Sequence, residues 1–277
     1  MTKHASVADK RRAFRELHKS GCFVIPNPWN VGSARYLEGI GFKAIASTSS
    51  GHAHSNGKPD GAQSLDEVLA HYKEIAACVD IPLNADFENG FADTADGVAK
   101  NVTRCIETGV AGLSIEDFSG DDKNPIYGFD EALARVKAAR AAIDKAGGDV
   151  VFTARCENFL HGRTDLDDTI KRLKAYSEAG ADCLYAPLIK TREQIEAVVK
   201  AVAPKPINFL NSAPFGFTVS DLAGMGVRRI SVGGTLARVA MNAFIKSAKD
   251  IAENGKFDSF AGIMSNADLN NFFAGYK

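Results

Sequence analysis

Long apolar runs are missing from this 277-residue chain, and with them any segment of the roughly 20 residues that a membrane-spanning helix needs. Net charge is close to zero, −1 at pH 7, and no basic stretch is long enough to make an electrostatic case for nucleic acid or an anionic membrane surface. The expected ligand is therefore small. Cysteine is sparse: Cys22, Cys78, Cys105, Cys156 and Cys183 lie far apart, which argues against a disulfide framework or a zinc knuckle and suits a reduced, cytoplasmic setting. The N-terminal stretch from Thr2 to Lys19 is charged and helical in pattern rather than apolar, so no export signal is expected. A glycine-rich dinucleotide fingerprint is also absent after the first apolar run, where Pro26-Asn27-Pro28-Trp29-Asn30 stands instead, and this counts against an open doubly wound sheet.

What the chain has is repetition. Eight strand-length runs rich in Val, Ile, Leu or Phe occur at Phe23 to Pro26, Lys43 to Ala46, Ile81 to Ala85, Ala111 to Ile115, Val150 to Ala154, Asp182 to Ala186, Pro206 to Leu210 and Arg228 to Val232. Amphipathic stretches such as Ser64 to Val79, Ala92 to Thr108, Asp130 to Ala146, Asp165 to Ala179 and Thr191 to Val202 separate them, with apolar positions three and four apart. Asp93 or Thr94 is placed to cap the second of these helices, and Gly109, Gly147 and Gly180 stand where a left-handed C-terminal residue is wanted. Regular alternation of this kind predicts an α/β fold, a (β/α)8 TIM barrel forming one domain over residues 1–277, with an N-terminal helix. The stretch from Phe257 to Lys277 reads as a helical appendage that closes the barrel or packs on a neighbouring subunit.

In such a barrel the C-terminal ends of the strands form the catalytic face. Three successive ends carry Asn84-Ala85-Asp86, Glu116-Asp117 and Arg155-Cys156-Glu157. Carboxylates on adjacent strand ends, Asp86 and Glu116, suit a hard divalent cation such as magnesium, which needs few protein ligands and keeps several waters. Arg155 suits a carboxylate or a developing enolate oxygen, or else an internal ion pair with Glu116 or Glu157. The cluster Ser47-Thr48-Ser49-Ser50-Gly51 offers hydroxyls and backbone amides that can cradle a carboxylate. His52 and His54 lack a third nitrogen or sulfur ligand nearby and read as ordinary surface histidines. Cys156 has no partner histidine and reads as a buried thiol. The polar segment from Phe118 to Asp130 reads as a mobile loop over the site, with Lys123, Asn124 and Tyr127 as its candidates for ligand contact.

These residues in this order resemble the isocitrate lyase/phosphoenolpyruvate mutase superfamily. The resemblance is carried by Pro26-Asn27-Pro28-Trp29-Asn30, Thr48-Ser49-Ser50-Gly51, Gly57-Lys58-Pro59-Asp60, Asn84-Ala85-Asp86, Gly112-Leu113-Ser114-Ile115-Glu116-Asp117 and Ala154-Arg155, and later stretches extend it over nearly the whole chain. It implies a barrel enzyme that binds a 2-oxo acid or its enolate through Mg2+, with Mn2+ as a substitute. The metal would be held by Asp86 and Glu116, largely through water, with Asp60 and Asn84 around them. Trp29, Thr48, Ser49, Ser50 and Arg155 would hold the oxo-acid head. The resemblance also implies a homo-oligomer, dimer or tetramer, that exchanges its last barrel helix between subunits.

Two departures shape the expected chemistry. Family members that cleave isocitrate or methylisocitrate carry a Lys-Cys-Gly-His type motif after the fourth strand, and the loop here has neither cysteine nor histidine. Asn84 stands where the family commonly has the first Asp of an Asp-Ala-Asp motif. The expectation is a magnesium-dependent carbon–carbon lyase or decarboxylase acting on an oxaloacetate-like 2-oxo acid. The alternatives are a phosphonopyruvate mutase or hydrolase and, from another class, a non-catalytic 2-oxo acid binding protein.

Overall fold

From residue 23 onwards each strand is followed by one or more helices, and the strands form one parallel sheet in the order β1-β8-β7-β6-β5-β4-β3-β2. The computed structural model of the protein describes residues 4–276; Thr2, Lys3 and Lys277, at the outer ends of the two terminal stretches, lie outside them. The strands are β1 (Phe23–Ile25), β2 (Ile45–Ala46), β3 (Leu83–Asp86), β4 (Gly112–Glu116), β5 (Val151–Arg155), β6 (Cys183–Tyr185), β7 (Ile207–Leu210) and β8 (Arg229–Ser231). Each of the eight expected runs carries one. Asp86, Glu116 and Arg155 are the last residues of their strands, one position beyond the apolar runs that announce them. The ring closes where the Ala46 N–H donates to the Pro26 carbonyl at 3.0 Å. Asn27 braces that seam: its side-chain amide donates to Ser47 O at 2.8 Å, and its carbonyl accepts from Val232 N and Gly233 N at 3.0 and 2.9 Å. The result is the (β/α)8 barrel.

Eleven α-helices accompany the strands among the described residues. They are α1 (Val7–Leu17), α2 (Val31–Gly39), α3 (Ser49–Ser55), α4 (Leu65–Cys78), α5 (Ala95–Glu107), α6 (Phe129–Lys145), α7 (Leu166–Glu178), α8 (Arg192–Val202), α9 (Val219–Gly224), α10 (Thr235–Asn254) and α11 (Asn266–Ala274). Their starts follow the sequence signals: Ser64 and Glu67 form a capping box on α4, Thr94 caps α5 and Thr191 with Gln194 caps α8. Gly109 and Gly180 have φ of +91° and +100°, a conformation in which a side chain would be strained.

Strand side chains alternate between two environments. Leu83, Leu113, Ile115, Phe152 and Ala154 face the helices and join the large outer core. Their neighbours point into the barrel, where the lower end is apolar: Phe14 of α1 packs with Ile25, Ala44, Ala46, Ala111 and Val151. The charges of α1 serve the same plug. Buried Lys10 donates to Ala76 O and Val79 O at the end of α4, and Arg11 donates to Ile106 O and Val110 O at the end of α5. Helix C-termini leave such carbonyls without partners, so basic side chains satisfy them.

The C-terminal elements behave differently. Of the twenty residues of α10 only Ala237 is buried, while Val239, Phe244 and Ile245 are exposed. By contrast α11 is docked on α2, with Phe272 against Tyr36 and the Tyr276 hydroxyl donating to Arg35 O at 2.7 Å. No helix among the described residues is long and apolar enough to cross a membrane.

Candidate active site

The strand register fixes which polar side chains lie side by side inside the barrel. Glu116 lies beside Arg155, Arg155 beside Tyr185, Tyr185 beside Asn208, and Asn208 beside Arg229. One register row thus runs from an acid on β4 to a guanidinium on β8.

Arg155 is the hub of this row. Its Nη1 lies 2.5 Å from Asp86 Oδ1 and 3.1 Å from Glu116 Oε2, while Nε and Nη2 lie 3.0 and 2.9 Å from Glu157 Oε1. The Tyr185 ring lies under the guanidinium, 4.9 Å from centroid to Cζ. Burial works against the charge, but Glu116, Glu157 and Asp86 more than offset it and hold Arg155 protonated more firmly than in water.

Asp86 is positioned from behind by α3 and α4. Its N–H donates to Ser47 Oγ at 2.8 Å, its Oδ2 accepts from Ser49 N at 3.1 Å, and its carbonyl accepts from the Tyr72 hydroxyl. Thr48 caps α3, with its hydroxyl 3.3 Å from Ser50 Oγ. Above the barrel these groups line a cavity of about 170 Å3, to which Thr48, Ser49, Ser50, Asp60, Asn84, Asp86 and Arg155 all contribute. It is smaller than the roughly 300 Å3 at which drug-sized sites begin, so it suits a small acid.

Acids outnumber bases here. Glu88 is pushed up to about 8, first by burial and then by the charges of Asp86 and Asp60. Burial also holds Glu116 well above the ordinary carboxylate range, despite Arg155. Desolvation and then Asp86 raise Asp60. Asn84 adds a buried side-chain oxygen with no hydrogen-bond partner. Crowded carboxylates and an orphaned amide oxygen form an all-oxygen donor set of the kind that a hard divalent cation takes. Among the described residues no cluster of three or more acid, histidine or cysteine side chains is already arranged around a single metal position, because Asp86 and Glu116 are drawn onto Arg155.

Several expected contacts lie elsewhere. Trp29 turns away from the cavity and lines an apolar groove with Tyr36, Leu37, Phe42 and Leu236. Tyr127 is drawn onto buried Arg135, with the guanidinium 3.9 Å from its ring centroid, and does not line the cavity. Lys123 and Asn124 sit at the exposed tip of a loop pinned by the Phe118–Ile126 bridge, where both bond to Asp121. Glu116 reaches the site through Arg155 rather than by lining the cavity. His52 stacks on buried His71 at 3.6 Å rather than lying free on the surface. Cys156 is buried, and burial raises its thiol well above the usual range. Asp117 accepts from Glu157 N, Arg172 Nη1 and the Tyr176 hydroxyl, and so anchors the segment that holds Arg155.

Sequence reasoning passed over Tyr185, Asn208, Arg229 and Ser231, which also line the cavity. Each sits inside an apolar run. A polar residue at an inward position of a strand was the signal for them.

Comparison with known proteins agrees with the fold. A phosphoenolpyruvate phosphomutase family profile matches residues 14–252. A solved candidate lyase/mutase from Burkholderia cenocepacia J2315 is 44% identical, with a TM-score of 0.93, over 97% of this chain and 96% of its own. An oxaloacetate decarboxylase from Paraburkholderia xenovorans is 29% identical over 246 residues, 84% of this chain and 79% of the relative. A phosphonopyruvate hydrolase solved with oxalate and Mg2+ is 27% identical, with a TM-score of 0.85, over 96% of this chain and 95% of its own. With this profile spanning most of the barrel, the chain belongs to the phosphoenolpyruvate phosphomutase family and is an enzyme of the isocitrate lyase/phosphoenolpyruvate mutase superfamily.

Proposed function

We propose that the protein is a magnesium-dependent carbon–carbon lyase that cleaves an oxaloacetate-like 2-oxo acid through an enolate, by loss of carbon dioxide in the simplest case. The observation that carries this reading is the surplus of acids around Arg155, together with the unpartnered Asn84 oxygen. Asp86 and Glu116 are the ligands, with Asp60 and Asn84 orienting water around them. Manganese, which also favours oxygen donors, is the expected substitute. When bound, the cation supplies Lewis acidity toward the oxo acid.

The chain's own residues do the rest. Glu157 grips Arg155 through Nε and Nη2, and Nη1, which Asp86 and Glu116 hold in this structure, is the nitrogen that would meet negative charge developing on the substrate oxygen. Ser49, Ser50 and Thr48 hold the oxo-acid head at the start of α3. Decarboxylation needs no base to deprotonate a substrate hydroxyl, which accords with a loop that carries neither cysteine nor histidine. Lys123 and Asn124 reach ligand only if that loop closes. The relatives that act on oxaloacetate and on phosphonopyruvate support a 2-oxo acid substrate of this size.

The same reading includes a homo-oligomer in which α10 is exchanged between copies. Its exposed Val239, Phe244 and Ile245, and the apolar groove beside β1 and α2, support this.

The deciding experiment incubates the protein and Mg2+ with oxaloacetate or phosphonopyruvate and measures pyruvate and phosphate. Pyruvate from oxaloacetate, abolished by chelator, supports the proposal. Phosphate release from phosphonopyruvate alone replaces it with phosphorus–carbon chemistry, and turnover that survives excess chelator overturns the metal assignment.

A further inference from the structure

Arg229 is 3% exposed and lies within the barrel, yet no carboxylate pairs with it among the described residues. Its three nitrogens meet neutral groups instead. Nε donates to Asn208 Oδ1 at 2.8 Å, Nη2 donates to Thr153 Oγ1 at 3.0 Å, and Nη1 lies 3.4 Å from His18 Nε2. His18 places Nδ1 2.7 Å from Phe14 O, so Nδ1 carries the proton and Nε2 is an acceptor. Burial, then Arg229, holds this imidazole near 3, so it contributes a dipole and no charge. Two of the five guanidinium N–H groups have no partner among the described residues.

A buried guanidinium surrounded only by dipoles carries a desolvation cost that no opposite charge offsets. Arg155, three positions away in the same register row, is its opposite case, since acids crowd around it. The cavity wall includes both residues. The cavity therefore has a negative rim at Asp86 and Asp60 and a positive floor at Arg229. A small molecule oriented by that field puts an anionic group downwards.

We propose that Arg229 is an anion-binding residue at the cavity floor, binding a carboxylate of a small acid that enters the cavity, and that it does so independently of metal. The inference rests on the proposed 2-oxo acid chemistry for the identity of the anion. Planar bidentate contact with a carboxylate is what a guanidinium with free N–H groups provides.

Calorimetric titration of the full chain with oxalate and with pyruvate, in excess EDTA, tests this. Both probes bind the native protein, and Arg229→Gln weakens them about 10- to 100-fold, the range for hydrogen bonds to a charged group. Arg229→Lys keeps part of the affinity. Thr153→Asp serves as the second variant: it gives Arg229 an internal partner, so its thermal midpoint stays at or above the native value while anion binding is lost. The proposal is overturned if the native protein binds neither probe without metal, or if Thr153→Asp, folded, binds oxalate as the native chain does. Oxalate binding that follows Arg229, with no turnover of oxaloacetate or phosphonopyruvate, sinks the reaction assignment and leaves this site standing. Turnover with metal-free binding indifferent to Arg229 does the reverse.

Discussion

Arg155 Nη1 lies 2.5 Å from Asp86 Oδ1, which joins the ends of β5 and β3 across the strand between them. Glu116, on that intervening strand, takes the same nitrogen at 3.1 Å. In the proposed metal site the guanidinium and a divalent cation would draw on the same two carboxylates. A cation held by Asp86 and Glu116 would free Nη1 towards the ligand, while Glu157 keeps the rest of the side chain in place.

This competition predicts an unusual pair of effects for Arg155→Gln. Activity falls by about 10²- to 10³-fold, the usual loss when a charge-stabilising donor is removed. Affinity for Mg2+, measured by calorimetry without substrate, rises, because the competing cation is gone. A side chain that only grips substrate would leave the metal affinity unchanged, and that outcome would remove the competition from the picture.

Stability should fall with rising pH on the alkaline side of neutrality. Glu88 is raised by burial and neighbouring acids from 4.5 to about 8, and Glu157 by burial from 4.5 to about 7. An acid whose folded-state value exceeds its unfolded value contributes fully below the unfolded value, and the contribution is lost as pH climbs through the folded one. Buried His18 and His71 act in the other direction: both drop from 6.5 to about 3, so they cost stability only as pH falls below 6.5. Between pH 7 and 8 Glu88 is still losing its contribution, beside Glu116, which burial also holds high. Thermal midpoints in EDTA should decline over that window, and Glu88→Gln should flatten the decline. A native midpoint that stays level or rises there contradicts the assignment.

Much of this site can be read from the chain, because strand ends in a barrel converge wherever the strands are. Asp86, Glu116 and Arg155 follow apolar runs directly, so locating the runs locates them. Tyr185, Asn208 and Arg229 are harder to see, since their meeting depends on the register between β5, β6, β7 and β8, which no local pattern encodes. Trp29 and Tyr127 mislead for a related reason. Each is close in sequence to the rim, but Trp29 turns outward to the groove and Arg135 captures the Tyr127 ring.

Gly234 tests the carboxylate cradle. A Cβ built there would sit 2.4 Å from Ser50 Oγ, so Gly234→Ala must displace that hydroxyl. The hydroxyl can rotate, so the stability cost should stay near the low end of the roughly 1–3 kcal/mol typical of overpacking. If Ser50 holds the substrate head equally before and during reaction, KM rises with kcat almost unchanged. A fall in kcat at constant KM would instead assign the turn to the transition state.

The last prediction concerns α10, whose exposed face is too apolar for a helix that ends in water. Phe244 is 67% exposed, and Val239 and Ile245 accompany it. The groove that a covering helix would fill lies beside the same helix, lined by Val24, Tyr36, Leu37 and Phe42, with a volume of about 610 Å3. Exchange of α10 between copies would bury both surfaces at once, and each Phe side chain removed from water contributes about 1.5–3 kcal/mol. Light scattering on the native chain should therefore give the mass of a dimer or tetramer. Phe244→Asp, which changes no residue of the cavity, should lower that mass and the thermal midpoint together. A native chain that is monomeric at micromolar concentration, or a Phe244→Asp variant with unaltered mass, would mean that α10 does not join the copies.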